Sequence, residues 1–441
     1  MSIRTLYTLV LAGFALAAPL AAQENTDQNG TDEDALFGGG SLVEDADDAS
    51  DVSSGVDDLL TSEAATVGGN FSLSVTVRAD PETFDLSDLD PFWESVEPGY
   101  RLAPTLFVDA RPDPDFRVFL KANIDYTTAK GNPSREPGVE VRLEELFSDV
   151  TLADWLYLRG GKQNMSWGVG YFFSPADLVS LEGIDPDDPE AERAGPVAVR
   201  LHAPFGTTNA YAYAMLDDLP NTGHAGYAGR LEGVLAGAEL TAGGYYERES
   251  VSAVMATYSG NLWDFDLFAE AVAQYGSTIT IVEDADPMLT TYERANQWFG
   301  LATAGARYSW SDDLGYFNLS LLGQYFYNGE GYDDPSILQD DRMPALLASG
   351  AISSADLRGT GRHYAASSLS LNGAFGSDLS PSAFWIGNIS DGSGRFSVDL
   401  RYTINPYVSV TPSYSYAYGE ERDEYALGGT GHTVSIRTSL G

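Results

Sequence analysis

Four bases stand at strand-like positions in neighbouring stretches of this chain: Lys121, Arg142, Arg159 and Arg200. Around the first of them Phe116, Val118, Leu120, Ala122 and Ile124 interleave with Arg117, Lys121, Asn123 and Asp125. Successive side chains on a strand point to opposite faces, so the charged residues share one face and the apolar residues the other. Glu140, Arg142 and Glu144, then Arg159, then Arg200 and His202, follow the same alternation. Counted from the nearest turn, each base lies roughly five or six residues along its stretch, which predicts one common level. Such a row would act on passing ions through its field. The same bases would equally serve as partners for Asp125, Glu140 and Glu144, keeping a wet interior rigid. Between the stretch of Arg159 and that of Arg200 lies segment 165–195, with Asp177, Glu182, Asp185, Asp187, Asp188 and Glu190. If it folds against the bases, opposed charges across a narrow gap would sort charged and dipolar solutes.

Other chemistry finds little support. The chain has no cysteine, which removes disulfides, lipoprotein anchors and cysteine-based metal or redox sites. Its four histidines, His202, His224, His363 and His432, stand in no nucleophile-elbow or metal-ligand spacing. Ser393 lies in Asp391-Gly392-Ser393-Gly394, a turn sequence. Glu144 and Glu145 adjoin, and on a regular strand they would point opposite ways. Asp333, Asp334, Asp340 and Asp341 offer oxygen ligands without EF-hand spacing. The reading is therefore of a protein without catalysis, cofactor or resident metal. A formal charge of −41 makes nucleic acid an unsuitable partner.

The elements that must carry these residues are strands. Arg4 followed by the apolar stretch Leu6 to Leu20 and by Ala21-Ala22 reads as a signal peptide over 1–22. Residues 23–68 follow as an acidic tether; the part from 23 to 66 holds 13 acids and no bases, a composition that predicts disorder. An apolar island, Ala35 to Val43 with Leu36-Phe37 at its centre, interrupts it. From residue 69 to 441 period-two alternation recurs in segments of about ten residues. About eighteen strands are counted, with a range of 16–18. Connectors alternate between short, as at Gly206-Thr207 and Asn405-Pro406, and long, as at 165–195, 276–295, 329–361 and 419–430. That parity, and a final stretch in which Val434, Ile436 and Leu440 alternate with Thr433, Ser435, Arg437 and Ser439, predict a closed antiparallel transmembrane β-barrel. Short turns would face the periplasm and long loops the exterior. The apolar and aromatic half of the 165–195 loop, Met165 to Phe173, suits packing inside the lumen.

Gly161-Lys162-Gln163, Trp167-Gly168, Pro175, Asp177-Leu178 and Gly195 together resemble a stretch that recurs in porin-like outer-membrane barrels of Gram-negative-type bacteria. The resemblance implies a substrate-translocating barrel with this segment at its heart, and names no substrate. Gly431, Val434 and Ile436 resemble part of the signal read by the barrel insertion machinery, though Gly429 and Leu440-Gly441 depart from it. The expectation is thus an outer-membrane, porin-like channel for passive diffusion of small hydrophilic solutes. Its partners would be outer-membrane lipid, the insertion machinery and the solutes; an outer apolar face is compatible with a homo-oligomer. The alternative from another class is an adhesin or structural surface barrel.

Overall fold

The computed structural model describes residues 65–79, 96–128, 138–153, 155–180, 184, 193–216, 225–248, 250–312, 316–353, 356–427 and 429–440. The expected signal peptide, nearly all of the tether and its Leu36-Phe37 island lie outside the described residues.

Twenty strand segments form one sheet in which every pairing is antiparallel. They make eighteen barrel strands, because the first two are each interrupted. The first strand runs Ala65–Asn70 and Leu73–Ala79; the second runs Glu97–Leu102 and Thr105–Asp113. The remaining sixteen are Phe116–Thr127, Gly138–Ala153, Leu156–Lys162, Val197–Phe205, Thr208–Met215, Gly226–Leu235, Ala238–Tyr246, Ser252–Leu262, Phe265–Tyr275, Trp298–Ser311, Asn318–Asn328, His363–Asn372, Leu379–Asn388, Ser393–Asn405, Val408–Tyr418 and Gly431–Leu440. The last strand pairs with the first, Leu440 opposite Leu73 and Ile436 opposite Val77, so the sheet closes. Closure satisfies every strand without leaving an edge to hydrocarbon.

The outer face is apolar and uncovered. Val254, Tyr258, Leu321, Leu369, Leu400 and Ile436 are all exposed there, as a lipid-facing surface requires. Exposed Trp155, Phe205, Trp263, Tyr316 and Tyr407 mark the rim of short turns, an aromatic girdle. The turns on that rim are brief, as at 206–207, 236–237 and 406–407. At Ala236-Gly237 both residues take positive φ, 55° and 84°, the backbone of a two-residue hairpin turn that follows the strand twist.

The opposite rim carries the long loops, and two of them fold together. A hairpin of Thr280–Ala285 and Met288–Glu293 meets the 3₁₀ turn Pro335–Gln339 and the short helix Met343–Ala348. Val282, Leu289, Leu338, Met343, Leu346, Ile352 and Leu357 bury their side chains between them. The acids of this region are engaged: Asp340 and Asp284 bind Arg342, Asp333 binds Arg362, and Asp334 caps the 3₁₀ turn.

The strand Gly138–Ala153 departs from regular alternation within its span. Its pairing slips, so that Lys121 faces Glu145 while Ala122 faces Leu143, and Glu144 is left over. This β-bulge resets the phase of the strand. Leu143 and Leu146, three residues apart, are both exposed to the outside. Glu144 and Glu145 therefore do not point opposite ways: Glu144 lies beside Arg142, and Glu145 accepts the Asn164 N–H at the inner loop.

Candidate lumenal site

The inner face of the third to eighth strands is a wall of guanidinium groups and rings. Strand pairing sets Arg117, Asp149, Arg159, Arg200 and Tyr213 side by side on five adjacent strands. Arg159 grips Asp149 through Nε and Nη2 at 2.6 and 3.0 Å and lies 3.9 Å from the centre of the Phe147 ring. Arg117 holds Asp109 in the same two-pronged way, at 2.8 and 3.1 Å, and reaches Asp149 at 3.6 Å. Bidentate pairs of this kind fix a guanidinium in place. Arg200 is next in the row and makes no ion pair or hydrogen bond among the described residues. Within this row three guanidiniums, Arg117, Arg159 and Arg200, meet two carboxylates, Asp109 and Asp149. Beyond Tyr213 the wall continues with Arg230, which pairs with Glu232 at 2.8 Å and lies over the Tyr211 ring at 4.7 Å.

The four bases expected at one level occupy three rows of the sheet. Arg159 and Arg200 are direct neighbours. Lys121 sits opposite Phe107 and Glu145, and Arg142 opposite Asn123, flanked by Glu140 at 3.7 Å and Glu144 at 3.5 Å. Distance along a strand from its turn does not give height directly, because barrel strands tilt and stagger.

The segment after Lys162 turns inward, packing first on the seventh strand at the end of the arginine row and then on the tenth to fifteenth strands. Met165, Trp167, Ala176 and Val179 pack on Tyr211, Tyr213, Met255, Val272, Phe299 and Leu301, side chains of the sixth-to-twelfth-strand region that face the lumen. Further along, Tyr171 meets Phe268, Phe172 meets Phe384, and Phe173 stacks on Phe326. Two polar side chains of the barrel hold the tip. Glu270, buried in the eleventh strand, accepts the N–H groups of Val169, Gly170 and Ala176 at 2.6, 2.7 and 2.8 Å and the Ser174 hydroxyl at 3.0 Å. Gln324, buried in the thirteenth, accepts from Tyr171 and Phe172 and donates to the Phe173 carbonyl and to Thr303. The tight wrap needs Gly170, where a Cβ would run into the Phe173 carbonyl.

At the root of the loop Gln163, fully buried, donates to the Ala198 carbonyl. Asp177 also serves the loop itself. Its carboxylate accepts the Trp167 N–H at 3.1 Å and binds Arg193 at 2.7 Å, with its side chain 4% exposed. Glu182 and Asp185, the other two acids expected to face the bases, lie outside the described residues.

No family model and no curated protein sequence matches the chain. Among solved structures it is similar to OccAB1 of Acinetobacter baumannii, with a TM-score of 0.50 and 10% identity over 86% of this chain and 96% of that one. It is also similar to a BenF-like porin of Pseudomonas fluorescens, with a TM-score of 0.49 and 10% identity over 86% and 98% of the two chains. The likeness is one of fold, a closed antiparallel barrel of eighteen strands. The exposed apolar belt is a lipid-facing surface, and the polar alternates of the same strands face the interior of the barrel.

Sequence reasoning singled out the bases and segment 165–195 but not the residues that bind the segment to the barrel. Glu270 and Gln324 look ordinary in their strands. The available signal was that Phe268 and Val272, on the same inner face as Glu270, are apolar where a water-filled lumen would want polar residues. An apolar inner wall implies something packed upon it.

Proposed function

We propose that this protein is a passive diffusion channel for small hydrophilic solutes, with its narrowest part between the inward loop and the arginine wall. The supporting observation is the division of the inner surface. The loop covers apolar side chains from the seventh strand round to the fifteenth, while the third to sixth strands keep Arg117, Asp149, Arg159 and Arg200 in a continuous polar row. A solute passing the loop would meet guanidinium groups on one side and loop backbone on the other. Selection would then follow from bore and field, with no bound cofactor. The positive charge left over at Arg200 would favour anions there. Conductance steps and reversal potentials of purified protein in planar bilayers test this. Absence of stepwise conductance, with a correctly folded barrel, would overturn it.

A further inference from the structure

Among the groups that the pore reading does not use, the buried carboxylate of Glu270 is the most constrained. It is 3% exposed, and its recorded partners are all neutral donors: three backbone N–H groups and one hydroxyl, all from residues 169–176 of the loop. A carboxylate in that setting is a costly residue to keep unless the loop needs it, because burial without a countercharge is offset only by these hydrogen bonds. The loop needs it for the reciprocal reason. Val169, Gly170 and Ala176 turn their N–H groups toward one point and away from any strand ladder, and an unpartnered buried N–H is unfavourable. Two strands away Gln324 repeats the device with a neutral side chain and all four of its hydrogen bonds made.

We propose that Glu270 and Gln324 are positioning residues that set the bore of the channel by latching the loop to the wall opposite the arginines. This rests on the reading of the loop as the constriction. Without the latch, the aromatic contacts keep the loop in the lumen, but its backbone is free to shift toward or away from the arginine row.

Single-channel recording on Glu270→Ala, Gln324→Ala and a variant with residues 166–179 replaced by a short Gly-Ser linker separates the two claims. The wild type should show one steady level. Glu270→Ala and Gln324→Ala should each flicker between levels, with mean conductance raised about two-fold, because bore sets the current. Glu270→Gln keeps one acceptor oxygen and should fall between. Gln324→Ala removes no charge, so a matching phenotype assigns the effect to position and not to field. Heat-modifiable migration on gels confirms that each barrel is intact. Steady wild-type levels in both alanine variants, with a widened loop-replacement variant, would overturn the latch and leave the pore reading standing. A loop-replacement variant with wild-type conductance would overturn both.

Discussion

Arg159 and Arg200 are neighbours in one row and differ by a carboxylate. Arg159 is neutralised by Asp149 and shielded over Phe147, whereas Arg200 has no such partner among the described residues. Their substitution should therefore separate. Arg200→Gln should lower the anion-to-cation permeability ratio by about two-fold, since an uncompensated charge in a narrow polar lumen acts on every passing ion. Asp149→Asn should raise that ratio, because it removes the countercharge of Arg159 while Arg117 keeps Asp109. Reversal potentials across a salt gradient measure both, and equal shifts from Arg159→Gln and Arg200→Gln would show that pairing does not matter. The types of these residues and their inward direction were legible in the sequence. Their common row was only half legible, since the bulge at Glu144 and the stagger of the strands are pairing properties that no single strand records.

At the scale of elements, the outer loops are held by two clasps of opposite pH sense. Hydrogen bonding to Arg342 holds the Asp340 and Asp284 carboxyls below the ordinary value of 3.8. That clasp contributes above this value and is lost as pH falls through the depressed values. Glu424, on the 3₁₀ turn Glu424–Ala426, is pushed up by burial and accepts from Tyr364, Asn388 and the Gly359 N–H, with Asp391 and Tyr425 also beside it. Its contribution is full below 4.5 and fades as pH rises through the raised value. Hydrogen-exchange protection, corrected for intrinsic rates, should fall first in 340–343 on acidification and first in 419–427 on alkalinisation. Identical pH profiles for the two segments would contradict this. Met343, fully buried among the loop residues, gives a second test. Met343→Ala should cost about 2–4 kcal/mol of local stability, seen as faster proteolysis within 329–361 while the barrel still resists heat. The inward loop was legible as an element because Met165 to Phe173 is too apolar for a loop in water. Its docking wall was not, because where both faces of a strand carry apolar side chains, as with Phe268 and Val272 opposite the lipid face, alternation no longer tells the inner face from the outer.

At the scale of the whole molecule, one constraint makes the fold readable: hydrocarbon accepts this chain only as a closed sheet with an apolar exterior. The alternation of short and long connectors, and the pairing of the first strand with the last, express that constraint. Among the described residues pairing begins at Ala65, inside the stretch expected as tether, because strand ends of small and polar residues carry little alternation. The final strand allows the constraint to be tested at adjacent positions. Ile436 is exposed on the outer face, and Ser435 and Arg437 alternate with it on the inner face. Ile436→Lys places a charge in lipid and should destabilise the barrel by about 2–4 kcal/mol, while Ser435→Lys, one residue away and facing water, should cost well under half of that. Denaturant titrations in lipid, followed by tryptophan fluorescence and gel migration, measure the difference. Because the two substitutions are the same in chemistry and adjacent in chain, only the direction of the side chain distinguishes them. Equal costs would mean that the seam between Leu73–Ala79 and Gly431–Leu440 has another register, since a slip of one residue exchanges the two faces along the whole strand.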